Sequence, residues 1–149
     1  MSFAPPPPRP YDLTLGDHDY SGGPDEPRRT LLICTHPRSG STLLGEALYF
    51  AGNLGCPLEY FHRGFRPGLA ERWGVQKLSD YIRAVYRFRT DPTGVLSVKL
   101  FWGDIEALVA ELDPKRFSDF AEHHAVEITP ETYREIAKLL ESIFPNPSF

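Results

Sequence analysis

Thr35-His36-Pro37-Arg38-Ser39-Gly40-Ser41-Thr42 is the stretch of this chain best equipped to hold an anion. It stands between an apolar run, Thr30-Leu31-Leu32-Ile33-Cys34, and a helical pattern of Leu43, Leu44, Ala47, Leu48 and Ala51. A strand–turn–helix junction aims unpaired backbone N–H groups at one point, and the helix dipole adds about half a positive charge there. Gly40 lets an oxyanion approach the backbone closely, and Arg38 supplies a full charge on a planar donor fork. Ser39, Ser41 and Thr42 add hydroxyl donors. Against the G-x-x-x-x-G-K-[ST] pattern of nucleotide-binding loops, Thr35 replaces the first glycine, Gly40 and Thr42 keep their places, and Ser41 stands where the lysine belongs. A nucleoside triphosphate with magnesium needs that lysine on its phosphates. Its absence, with an arginine earlier in the loop, points to a smaller anion load, such as one phosphate joined to a sulfate. An ordinary serine-rich helix cap is the alternative reading of the same residues.

Two carboxylates compete for the role of base. Glu46 shares a helix face with Thr42 four residues earlier, and at the helical rise it sits about 9 Å along the axis from Gly40. Glu59 lies in a Gly/Pro-rich segment beside Tyr60 and Phe61, whose rings could form an apolar wall that raises its basicity. Lys99 interrupts an apolar strand pattern near its end, where open α/β sheets place groups that face a ligand. Trp102 reads equally as core, interface or substrate wall. Cys34 reads as inert core. No set of His, Cys, Asp and Glu has metal-ligand spacing, and His123-His124 alone is no ligand set, so no metal is expected.

The elements that must position these groups read as α/β. The run at 30–34 has the pattern of a parallel strand covered on both faces, and Val95 to Phe101 reads as a second. Leu78, Ile82, Val85 and Tyr86 recur at helical spacing and stop at the Asp91-Pro92-Thr93-Gly94 turn. Ile105, Leu108, Val109 and Leu112 mark a short helix, and Phe117, Phe120 and Ala121 a further one. Thr129-Pro130 caps a late helix through Tyr133, Ile136, Leu139, Leu140 and Ile143. Between Gly52 and Gly68 the pattern is irregular. Residues 1–28, with the Pro5–Pro8 run, Gly22, Gly23, Pro24 and Pro27, read as an extended or disordered tail whose removal leaves stability nearly unchanged, although Tyr11, Leu13 and Leu15 could dock on the domain.

Pro37-Arg38-Ser39-Gly40-Ser41-Thr42-Leu43-Leu44 resembles the 5'-phosphosulfate loop of sulfotransferases that use 3'-phosphoadenosine 5'-phosphosulfate. Gly52 with Gly55-x-Pro57-x-Glu59-Tyr60-Phe61, then Asp80-Tyr81-Ile82, then Gly94-Val95 with Lys99-Leu100-Phe101-Trp102 follow in order. The series is similar to the bacterial family that includes trehalose 2-sulfotransferase, over about residues 30 to 149. The resemblance implies a three-layer, P-loop-like parallel sheet with flanking helices. It also implies sulfuryl transfer from that nucleotide to a carbohydrate hydroxyl, on trehalose or a glycolipid-like acceptor, without a metal. Arg38, Ser39, Gly40, Ser41 and Thr42 fall on the donor-binding positions and Glu59 on the general base, with Glu46 and Lys99 as further candidates. Family members also carry a later arginine and serine that hold the 3'-phosphate. Residues 29–149 then read as the N-terminal portion of such a domain, interrupted near Pro147-Ser148-Phe149. A homodimer or a complementing C-terminal half is the partner this implies. The competing reading is a truncated, noncatalytic anion-binding or interaction domain that kept the loop. A phosphotransferase with a lysine-less loop is weaker, since no catalytic aspartate or magnesium-binding strand end is evident.

Composition bounds the rest. The 149 residues are 41% hydrophobic and 24% charged, values ordinary for a single globular domain. Twenty acidic against sixteen basic residues give a formal charge of −4, which argues against a general nucleic-acid binder. Residues 60–89 run the other way, with Arg63, Arg66, Arg72, Lys77, Arg83, Arg87 and Arg89 against Glu71 and Asp80. That excess could attract an anionic donor or pack on a partner. No apolar run approaches the length of a membrane span and no secretory leader is legible, so the expected location is cytoplasmic.

Overall fold

The computed structural model describes residues 12–21, 23–121 and 128–149. The Pro5–Pro8 run, Tyr11, Gly22 and the His123-His124 pair lie outside them. Two parallel strands carry the site, β1 (Arg29–Thr35) and β2 (Val95–Phe101), in register from Arg29 opposite Val95 to Thr35 opposite Phe101. Five consecutive residues of β2, Leu96 to Leu100, are buried. Burial does not alternate along the strand even though Ser97 and Lys99 are polar, because both of its faces are covered. Helix α1 (Ser41–Ala51) follows β1; its N-cap is Gly40 at φ 82° and its C-cap Gly52 at φ 97°, left-handed positions that favour glycine.

The chain then runs back along β2 and enters α2 (Arg66–Trp73) and α3 (Leu78–Arg89). The turn after α3 is organised by buried Asp91. Its Oδ1 accepts from the N–H groups of Thr93 and Val95 at 2.8 and 3.1 Å, and its Oδ2 from Gly55 N–H at 2.9 Å. After β2 come α4 (Trp102–Leu112), α5 (Pro114–Ala121, kinked at Phe117) and α6 (Pro130–Ile143). The Thr129 hydroxyl caps α6 by accepting from Thr132 N–H at 3.2 Å. Leu32, Tyr60, Val85, Leu96, Val98, Leu100, Val109 and Phe144 lie at the centre of the core. The result is a mixed α/β fold with a small parallel sheet flanked by helices. No helix among the described residues is long and apolar enough to cross a membrane.

Four features differ from the expectations above. The irregular stretch contains α2, which starts on Pro67 in its first turn and tolerates Gly68. The chain's last residues form a third strand, β3 (Pro147–Ser148), parallel to β1 at Thr30 and Leu31, giving the order β2-β1-β3. Cys34 is exposed on β1 rather than core. Residues 12–20 are fastened to the domain: Leu13 is buried, Asp19 pairs with Arg72 and Arg89, and Tyr20 N–H donates to Phe88 O at 2.8 Å. Composition had suggested a free tail there; the Leu13 side chain, the Asp19 ion pairs and bonds to the segment's backbone anchor residues 12–20.

Candidate active site

Glu59 owes its position to a backbone that leans on β2. Leu58 bridges Val98 in parallel fashion, and Lys99 N–H donates to Leu58 O at 3.0 Å. The approach begins at Gly55, φ 70°, where a side chain would collide with the β2 backbone. Pro57 then packs under α1 at Gly45; a β-carbon there would stand 3.4 Å from Pro57 O and 3.6 Å from Lys99 Cδ. Glu59 thus meets Lys99, whose ammonium lies 2.7 Å from its Oε1. The two side chains are only 12% and 4% exposed, so the pair is almost stripped of water. Tyr60 and Phe61 are not a wall for a sugar ring: both are buried in the core, and the Tyr60 hydroxyl donates to Cys56 O.

A cleft of about 350 Å³ opens over this pair. Thr42 and Glu46 of α1 line one side, Pro57, Leu58, Glu59 and Lys99 another, and Phe65 with Asp12, Leu13 and Thr14 complete it. Both competing carboxylates therefore face one space, with Lys99 contacting Glu59. Sequence had not singled out Asp12, Thr14 or Phe65, and had given Leu13 only as a residue that could dock on the domain. A signal existed in Asp12-x-Thr14, a spacing suited to a side-chain-closed turn. Asp12 Oδ1 indeed accepts from Thr14 N–H and Thr14 Oγ1 at 2.9 and 2.7 Å, and these bonds hold the carboxyl below its ordinary pKa.

The loop residues stand at the mouth of α1 rather than in the cleft lining. Arg38 is exposed and left-handed, φ 65°. Ser39 Oγ meets Thr35 Oγ1 at 2.6 Å, and His36 Nδ1 lies 3.0 Å from Pro37 O, within its own loop. No side chain caps the N-terminus of α1, and the first N–H group with an intrahelical acceptor is that of Leu44, on Gly40 O at 3.1 Å. Ser41 is buried, while Thr42, one residue on, joins the loop to the cleft. Near the far end of β2, Asp104 accepts from Phe101 N–H at 3.1 Å; burial, with the Glu59 charge adding a little, raises its pKa.

The arginine-rich stretch does not gather into a groove. Arg66 makes a bidentate pair with Glu111 at 2.6 and 2.9 Å, Arg72 pairs with Asp19, Arg83 with Asp80, and Arg89 is fully buried. Trp102 is partly exposed at the start of α4 and donates to Glu106 at 2.8 Å. No group of three or more His, Cys, Asp or Glu among the described residues is arranged to hold a metal ion.

A family model described as Stf0 sulphotransferase matches residues 30–127, about two-thirds of the chain. The chain belongs to the Stf0 sulphotransferase family. The matched span takes in the loop, α1, Glu59 and Lys99, and leaves out Asp12–Thr14 and α6. No curated protein matches the chain. Membership supports sulfotransferase activity; it names no acceptor.

Proposed function

We propose that the chain handles sulfuryl transfer from 3'-phosphoadenosine 5'-phosphosulfate to a carbohydrate hydroxyl, trehalose or a glycolipid-like sugar being the acceptor to try first. The observation that carries this reading is the dehydrated Glu59–Lys99 pair in a cleft that reaches, through Thr42, to the uncapped end of α1. The acceptor oxygen attacks sulfur as the bond from sulfur to the 5'-phosphate oxygen breaks. Glu59 takes the hydroxyl proton, and Lys99 holds its carboxylate in place. Charge that builds on the departing phosphate falls to Arg38 and the backbone N–H groups of Ser39 to Thr42. In this reading the loop belongs to a P-loop-like scaffold, with no lysine because no triphosphate is bound.

The test is transfer of labelled sulfate from the donor to trehalose and related sugars, beside titration with adenosine 3',5'-bisphosphate. Glu59→Gln should cut turnover by about 10²–10⁴ while nucleotide affinity changes less than a few-fold. Arg38→Ala should weaken the nucleotide and slow transfer by roughly 10²–10³. Turnover abolished by Glu46→Gln and retained in Glu59→Gln would give the proton to Glu46. Tight nucleotide binding with no transfer to any sugar would make the chain an anion-binding domain.

A further inference from the structure

The cleft is walled on one side by residues that precede β1 and lie outside the span matched by the family model. Asp12, Leu13 and Thr14 reach it because Arg89 holds them there. Arg89 Nη1 donates to Leu13 O at 2.6 Å, and Nη2 reaches Leu15 O at 3.2 Å and Thr14 O at 3.5 Å. Arg72 Nη1 donates to Thr14 O at 2.5 Å. On the other side of the Arg89 guanidinium, Nε lies 2.9 Å from Asp19 Oδ1 as an ion pair without hydrogen-bond geometry, and the Tyr60 and Trp73 rings stand 5.7 and 5.9 Å from its centre. Trp73 Nε1 fixes Asp19 from behind, donating to its Oδ2 at 3.0 Å.

A guanidinium with no exposed surface is costly to bury. Here Nη1 and Nη2 reach the backbone carbonyls of one short segment, the one that faces Glu59 and Lys99, and Nη1 also reaches Cys56 Sγ at 3.1 Å. Packing alone would be met by an aliphatic side chain. A fork aimed at consecutive carbonyls fixes where that segment's side chains stand.

We propose that Asp12 and Leu13 form the acceptor-binding wall of this cleft and that Arg89 is the residue that positions it. This rests on the sulfuryl-transfer reading and adds the acceptor contacts to it. Leu13 and Phe65 offer an apolar surface to the C–H face of a sugar ring. The Asp12 carboxylate, its Oδ1 held by Thr14, accepts from ring hydroxyls. Among the described lining residues, the Asp12 carboxylate stands beside the Glu59–Lys99 pair, whose own charges balance, and its negative charge disfavours an acceptor bearing phosphate or carboxylate. The transferred group enters with its nucleotide from the uncapped end of α1, which meets the cleft at Thr42.

The full chain is titrated with trehalose, with trehalose 6-phosphate and with adenosine 3',5'-bisphosphate, following amide shifts by NMR. Asp12→Asn and Leu13→Ala should each weaken trehalose at least fivefold and leave the bisphosphate within twofold. Trehalose 6-phosphate should bind at least tenfold more weakly than trehalose, and Asp12→Asn should narrow that gap. Arg89→Lys keeps the charge but not the fork. It should speed amide exchange at Thr14 to Tyr20 at least tenfold and weaken trehalose, again sparing the bisphosphate. Trehalose affinity unchanged in both wall variants overturns the proposal, as does an equal loss of sugar and nucleotide in Asp12→Asn with a native circular dichroism spectrum. A chain that binds the bisphosphate and no trehalose refutes the wall and leaves the transfer reading standing; one that binds neither refutes both.

Discussion

Lys99 carries its charge with only 3% of its surface exposed, and the Glu59 carboxylate 2.7 Å away balances it. Removing one partner of such a pair strands the other in a dry site, a loss of about 3–5 kcal/mol; replacing both with apolar groups of similar volume is often neutral or stabilising. The prediction is a double-mutant cycle. Lys99→Met should lower stability to urea by about 3 kcal/mol. Glu59→Gln, which can still accept one hydrogen bond, should lower it by about 1–3 kcal/mol. The double variant should return to within about 1 kcal/mol of the native protein while losing all transfer activity. Additive losses would mean that the two groups do not depend on each other, and the placement of Glu59 by Lys99 would fail with that result.

Among the elements, the segment from Gly55 to Glu59 bears the tightest backbone constraint. At φ 70°, a β-carbon on Gly55 would come 2.8 Å from Val95 O and 2.9 Å from Ser97 N, both immovable parts of β2. Gly55→Ala should therefore cost about 3 kcal/mol or more and lower the melting temperature by roughly 10 °C. A second element-level contact is titratable. The bidentate Arg66 pair holds the Glu111 carboxyl below the ordinary glutamate range and ties α2 to α4. A carboxyl depressed on folding stabilises above its unfolded pKa, and that contribution is lost as pH falls through the lower, folded value. Glu111→Gln should flatten the fall in stability on acidification below about pH 4, modestly, because the glutamate is 43% exposed and screened. Chemical denaturation at stepped pH measures it.

At this scale the chain was readable where local pattern and tertiary role agree. Apolar runs marked β1 and β2, Gly40 and Gly52 bounded α1, and Thr129-Pro130 opened α6. Helix α2 was hidden because Pro67 and Gly68 look like loop residues, although proline is at home in a first helical turn. Glu59 and Lys99 were legible by motif and by the break in an apolar strand. Their contact was not, since it depends on a bridge between Leu58 and Val98 across forty residues of chain. The contact of Leu13 with Arg89 was illegible for the same reason: the leucine read only as a residue that could dock, and the arginine as one of a basic stretch facing a donor or a partner.

The packing unit of the whole molecule exceeds the span that carries the family resemblance. Residues 30–127 leave out Leu13, Ile136, Leu140 and Phe144, all buried in one core with β2 and α3. They also leave out the far side of several polar contacts. Thr30 Oγ1 donates to Pro145 O at 3.0 Å and the Tyr86 hydroxyl donates to Ile143 O, while the bond from Asn146 Nδ2 to Arg28 O at 2.9 Å lies wholly outside the span. Losing the burial of four large apolar side chains forfeits about 6–12 kcal/mol at 1.5–3 each, comparable to the about 5–15 kcal/mol that holds a domain folded. Arg89 stripped of Leu13, Thr14, Leu15 and Asp19 adds the penalty of an unpaired buried charge. A chain cut to residues 30–127 should therefore show no cooperative thermal transition by circular dichroism. Chains cut to 30–149 or to 12–127 should each melt well below the full chain, the first from loss of the Arg89 partners and the second from loss of α6. In the uncut chain, Asp19→Ala should reproduce much of the 30–149 loss, which separates the ion pair from mere shortening. A cooperative transition in the 30–127 chain near that of the full protein would show that the matched span folds alone and that the two ends only decorate it.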